Sequence, residues 1–180
     1  MNKEPWDLFP GLWKSKSAFF TYLRGQIRLT WSRFPAKITW KNSKLVAPPQ
    51  DYKGRAKKLG QCSYCNEMFA ASSLEVDHIE QAGTCNSWET AAQFLRNLLD
   101  CNDNWCLACK PCHKIKSYSE KTGLSFEDAK LQKKVIEFMK QNTKVIVEFC
   151  QKSGYNERSL TNKASRQAAV ETILKGQIHG

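Results

Sequence analysis

The stretch on which the fold turns is Asp103-Asn104-Trp105-Cys106-Leu107-Ala108-Cys109-Lys110-Pro111-Cys112-His113-Lys114. Its Cys109-x-x-Cys112 pair has a counterpart upstream in Cys62-Ser63-Tyr64-Cys65, and each such pair forms a turn whose backbone N–H groups face the sulfurs. Two of these turns brought together supply four thiolates, the donor set of a closed tetrahedral zinc site. The 43 residues between Cys65 and Cys109 exceed the spacing of a simple ribbon, so something is inserted between the turns. Eight cysteines in 180 residues fall short of a disulfide scaffold. The first twenty residues carry Glu4, Asp7 and Pro10 where a secretory leader needs an unbroken apolar run, so an intracellular setting and metal-binding cysteines are expected.

Within the insert, Leu74-Glu75-Val76-Asp77-His78-Ile79 alternates as a strand, Leu74 and Val76 on one face and Glu75 and Asp77 on the other. Adjacent strand residues face opposite ways, which suits Asp77 and His78 to divided roles: a carboxylate binds a hard cation, and a neutral imidazole takes a proton from water. His113 follows Cys112 directly, so the second cysteine turn fixes its position, and a helix from near Pro111 aims it back at the strand. Residue type alone leaves His113 open as a replacement for Cys112 on zinc.

Asp77-His78-Ile79, then Asp103-Asn104, then Leu107-Ala108-Cys109-x-x-Cys112-His113, resembles the HNH endonucleases of ββα-metal fold in their four-cysteine form, over residues 55–122. The whole layout resembles small HNH proteins of tailed phages. The resemblance implies that His78 is the general base and that Asp77 and His113 bind one catalytic Mg²⁺ or Mn²⁺. It implies that Asn104 holds the two-stranded loop so that His78 is oriented, and that Lys114 or Lys116 touches phosphate. Cys62, Cys65, Cys109 and Cys112 take a structural Zn²⁺. The implied function is a monomeric DNA endonuclease that nicks one strand of a duplex and leaves 5′-phosphate and 3′-hydroxyl ends. The alternative is a non-catalytic zinc-ribbon protein that binds nucleic acid, as an accessory to a larger complex.

The chain departs from compact members of that family by 24 residues, Glu80 to Asp103, in which Trp88, Ala91, Ala92, Leu95, Leu98 and Leu99 mark an amphipathic helix over 88–99. Cys85 and Cys101 flank it, either as a second metal pair or, in the preferred reading, as small core residues. Cys106 and Cys150 are expected as core thiols, and His179 gets no role.

Charge points to the partner. Lys plus Arg is 28 against 17 Asp plus Glu, a net +11, which favours a polyanion such as DNA. Residues 1–60 hold 13 basic and 3 acidic side chains, whereas 61–122 hold 5 and 8. Arg24, Arg28, Arg33, Arg55, Lys57 and Lys58 are therefore the expected DNA contacts. No stretch reaches the ~18 apolar residues of a membrane span. Leu12, Phe19, Tyr22, Leu23, Ile27 and Trp31 predict a basic amphipathic helix, and Lys37-Ile38-Thr39-Trp40-Lys41 alternates as a short strand. Trp6, Trp13, Trp31 and Trp40 serve packing on the core, or else stack on unpaired bases. Farther on, Ser125 caps a helix, and further helices are expected over 143–151 and 161–175, the pair packing as a hairpin or reading DNA as a helix-turn-helix. The expected architecture is α+β: a basic N-terminal extension (1–54), a zinc-stabilised ββα-metal core with an inserted helix (55–122) and a helical C-terminal region (123–180).

Overall fold

The computed structural model describes residues 3–101 and 103–179. The chain is a mixture of helices and two small sheets and divides into two units, Met1–Lys110 and Pro111–Gly180. In the first unit the order is α1 (Pro5–Leu8), α2 (Lys16–Ser32), α3 (Pro35–Ser43), β1 (Leu59–Gln61), β2 (Met68–Ala70), β3 (Leu74–His78), α4 (Trp88–Leu99) and β4 (Trp105–Cys109). Helix α5 (Lys110–Thr122) follows β4 without a break, and α6 (Phe126–Phe138), α7 (Thr143–Lys152) and α8 (Lys163–His179) complete the second unit.

Sequence sets the ends of these helices. Ser15 accepts the Ala18 N–H and starts α2, and Ser87 and Thr90 form a reciprocal capping box that starts α4 at Trp88. The helix expected over 88–99 is present with those bounds. Residues 37–41, expected as a strand, instead lie within α3. Phe34 is extended before proline and Pro35 occupies the first helical turn, a helix-starting pair that outweighs five residues of alternation.

The core of the first unit joins the N-terminal region to the inserted helix. Phe19 and Phe20 of α2 are buried with Cys85 and with Ala91, Phe94 and Leu98 of α4, and Trp6, Trp13, Leu23, Ile27 and Trp31 pack around them. Cys85 is thus the core thiol expected, its thiol pushed up chiefly by burial, with Arg24 opposing. Cys101 is exposed, contrary to the core reading, because it follows α4 in the connection to β4.

β3 and β4 pair antiparallel, with Leu74 opposite Cys109, Val76 opposite Leu107, Asp77 opposite Cys106 and His78 opposite Trp105. β1 and β2 form a separate two-stranded sheet. Buried Trp105 is enclosed by aromatic rings from the N-terminal helices, with centroids 5.3 Å away at Trp31, 6.2 Å at Phe34 and 5.8 Å at Trp40. The N-terminal extension expected over residues 1–54 therefore packs into the apolar interior of the first unit.

In the second unit Leu131 and Val135 of α6, Ile146 and Cys150 of α7, and Ala169 and Val170 of α8 share one core with Leu160. Ser125 caps α6 by accepting the Asp128 N–H, and Gly154, at φ +92°, ends α7 in the left-handed region that glycine tolerates. The apolar faces of α7 and α8 meet in that core, which is the packing use of the hairpin. The side chain of His179 lies outside the described residues.

Candidate metal centre and neighbouring polar site

The first cysteine turn caps the β1–β2 hairpin. Cys62 N–H donates to the Glu67 carbonyl (3.0 Å), Asn66 N–H donates to the Cys62 carbonyl (2.9 Å), and Asn66 takes φ +60°. Asparagine is among the few non-glycine residues that enter this region readily, so Cys65-Asn66 is a turn signal as well as a ligand signal. The second turn is made where β4 ends at Cys109 and α5 begins.

The sulfurs of Cys62, Cys65, Cys109 and Cys112 all lie within 4.8 Å of one another. They are the one group of three or more candidate metal ligands among the described residues. Cys62 Sγ accepts the Cys109 N–H at 3.3 Å. Burial by itself raises the Cys62 thiol, but the backbone N–H groups of Cys109, Cys65 and Tyr64, together with the Cys65 side chain, outweigh it and bring the group down to about 7. N–H groups turned toward sulfur suit a thiolate, and four sulfurs at this spacing are the donor set of a structural zinc ion. We expect about one zinc per chain by metal analysis, and a Cys62→Ser chain that loses the ion and melts at lower temperature.

Asp77 and His78 end strand β3. Alternation puts His78 on the face of Leu74 and Val76, and its side chain is only 7 % exposed. Nε2 lies 2.9 Å from the Leu98 carbonyl, and the Trp31 ring covers the imidazole at 4.4 Å between centroids. A carbonyl can only accept, so Nε2 donates in this contact, and whenever the ring is neutral Nδ1 is its acceptor nitrogen. Leu98 belongs to the last turn of α4, whose carbonyls lack partners within the helix and whose end favours positive charge. Asp77 Oδ1 accepts the N–H of His78 at 2.9 Å.

Asn104 fastens the chain just beyond the strand. Its Oδ1 accepts the Glu80 N–H (2.7 Å), its Nδ2 donates to the Glu80 carbonyl (3.2 Å), and its own carbonyl accepts the Ile79 N–H (2.8 Å). A polar cleft of about 420 Å³ opens here, lined by Ile79, Glu80, Asn97, Asp100, Asp103 and Asn104. His113 lies in the first turn of α5, one residue after Cys112, within the second unit. Of the two lysines expected on phosphate, Lys114 is exposed, whereas Lys116 is buried with its ammonium 2.5 Å from Glu120.

The basic residues of the N-terminal half divide between surface and packing. Arg28, Arg33, Arg55, Lys57 and Lys58 are exposed, and the Arg24 guanidinium sits 5.3 Å from the centre of the Phe94 ring. Lys41 Nζ donates to the Leu74 carbonyl (2.5 Å), and its ammonium is lowered by burial against the opposing pull of Glu75. Sequence reading missed two neighbours of His78. Trp31 was read as a helical apolar position and as one of four tryptophans that pack or stack, without His78 as its neighbour, and Leu98 contributes through its main chain, which leaves no residue-type signal.

No helix of the described residues is long and apolar enough to cross a membrane. Compared with family models, curated proteins and solved structures, the chain matches none of them.

Proposed function

We propose that this protein is a metal-dependent DNA endonuclease of the HNH type, in which His78 activates water for attack on a phosphodiester. The reading is carried by one observation, the way His78 and Asn104 are held. Nε2–H is committed to the Leu98 carbonyl, which assigns the acceptor role to Nδ1, and Asn104 clamps both backbone groups of Glu80 two residues farther on. Proton abstraction from water needs a neutral imidazole of fixed tautomer and orientation. The water oxygen attacks phosphorus in line, its proton passes to Nδ1, the bond to the 3′ oxygen breaks, and that oxygen takes a proton from solvent. A divalent cation, when bound, neutralises charge on the phosphoryl and departing oxygens. Asp77 is its ligand from β3, and His113 is the second ligand that the resemblance assigns. Magnesium characteristically takes one or two protein ligands and completes its shell with water and phosphate oxygens. Zinc on the four cysteines holds the cysteine turns that flank β4, so that folding and metal binding are one equilibrium.

A second reading, a zinc-stabilised nucleic-acid binder without catalysis, is favoured by the burial of His78 beneath Trp31. Supercoiled plasmid separates the two. Conversion to open circles with Mg²⁺ or Mn²⁺, and none without added cation, supports the nuclease. A zinc-loaded chain that retards plasmid in a gel but leaves it supercoiled under every cation supports the binder. For the nuclease, Asn104→Ala removes two hydrogen bonds from the segment after His78, and nicking is expected to fall by about tenfold.

A further inference from the structure

A cavity of about 340 Å³ opens beside the first cysteine turn, entirely within the first unit. Trp40 of α3 forms its wall, Trp105 and Leu107 of β4 its floor, and exposed Lys44, Gln61 and Ser63 its rim. We propose that this cavity takes one unpaired base of single-stranded DNA, so that the preferred substrate carries an unstacked nucleotide rather than an uninterrupted duplex. The inference rests on the nucleic-acid part of the function proposed above and is independent of cleavage.

Four observations point the same way. Trp6 and Trp13 pack in the apolar core and Trp31 lies on His78, whereas half-buried Trp40 lines an open cavity. The Trp40 and Trp105 planes meet at 90°, which makes a corner for a flat guest rather than a closed sandwich. The Lys44 ammonium lies 5.5 Å from the Trp40 ring centre, so a base stacked on that indole brings its phosphate within reach of a cation. Lys44 also continues a row with Lys37 and Lys41 of α3, within residues 1–60, which hold 13 basic against 3 acidic side chains.

The cavity is tied to the metal centre. Ser63 sits between the two cysteines of the first turn, and its N–H donates to the Leu107 carbonyl of the floor at 2.8 Å. Gln61, at the end of β1, gives its amide nitrogen to the Asn66 carbonyl of the same turn (2.9 Å), which presents its amide oxygen as the acceptor on the rim.

The test titrates the zinc-loaded chain, in buffer without added divalent cation, with a short single-stranded oligonucleotide and with a blunt duplex of the same length. Saturable quenching of tryptophan emission by the single strand is expected. Trp40→Phe should keep the fold and most of the affinity while losing most of the quenching. Trp40→Ala should weaken single-strand binding by about tenfold and leave duplex binding within about twofold. Lys44→Ala should reduce the slope of log K against log salt by about 0.7 for the single strand. Quenching unchanged in Trp40→Phe, or single-strand and duplex affinities that fall together in a folded Trp40→Ala chain, overturns the proposal. If Trp40→Ala does not fold, the Trp40→Phe and Lys44→Ala results decide it alone. A chain that binds in this way but never nicks plasmid keeps the pocket and loses the nuclease; one that nicks but shows no Trp40 effect loses only the pocket.

Discussion

Replacing His78 with alanine is expected to lower plasmid nicking by about 10²–10⁴-fold, the usual contribution of a positioned base. The variant loses the group that takes the water proton, while Asp77 and Asn104 keep their places in the chain. Duplex affinity measured without divalent cation should stay within about twofold, because a base acts in the transition state and not in binding. The substitution also carries a structural cost. His78 is 7 % exposed and donates to the Leu98 carbonyl, so alanine leaves that carbonyl without its partner at a cost of about 1–3 kcal/mol. Rates are therefore to be compared well below the melting temperature of the variant. Added imidazole supplies a second readout, since the space vacated beneath Trp31 has the shape of the ring that was removed. Partial recovery of nicking identifies a lost base, whereas a merely structural role predicts no rescue. Wild-type nicking in a folded His78→Ala chain would sink the mechanism.

What the sequence discloses here follows the range of the interaction involved. Helix α4 was readable to the residue because its apolar stripe is local, and the same holds for the Ser125 cap of α6. The four-cysteine cluster was readable across 43 intervening residues because only paired spacing of a soft ligand makes a closed tetrahedral site. Residues 37–41 misled because two periodicities compete over so short a run, and the deciding feature, Pro35 at the helix start, lies outside it. Cys101 was expected in the core from residue type alone, yet burial of a lone cysteine depends on which elements pass over it, and none of the described elements buries it.

The polar site was legible as a set of residue types and illegible as an arrangement. Alternation along β3 already places His78 on the apolar face of Leu74 and Val76, but its cover comes from Trp31, 47 positions earlier in the chain. The inserted segment, which in the sequence looks like a departure from a compact core, turns out to deliver the Leu98 carbonyl to Nε2. A main-chain acceptor has no letter in the sequence, so only the fold reveals that the insert takes part in holding the imidazole.

A chain that begins at Gly54 is expected to lose the fold of the first unit, not merely its grip on DNA. The deletion removes Phe19 and Phe20 from Phe94 and Leu98, and it removes Trp31, Phe34 and Trp40 from Trp105. Truncating one buried aromatic side chain costs about 3–5 kcal/mol, so losing several together exceeds the whole stability of an ordinary domain, about 5–15 kcal/mol. Lys41 goes as well, and with it the donor to the Leu74 carbonyl at the start of β3. The expected result is no cooperative melting transition, with Phe94, Leu98 and Trp105 left open to solvent. A truncated chain with an unchanged melting temperature would overturn this, and would make residues 1–53 a detachable arm. Because the truncation unfolds the site, it cannot isolate the electrostatic part of DNA binding. The exposed residues Arg28, Arg33, Arg55, Lys57 and Lys58 can, one at a time as glutamine, since none of them lies in the aromatic core. Each one that meets a phosphate should flatten the slope of log K against log salt by about 0.9 on duplex DNA, with the melting curve unmoved. A set of five folded variants with the wild-type slope would remove this surface from the interface.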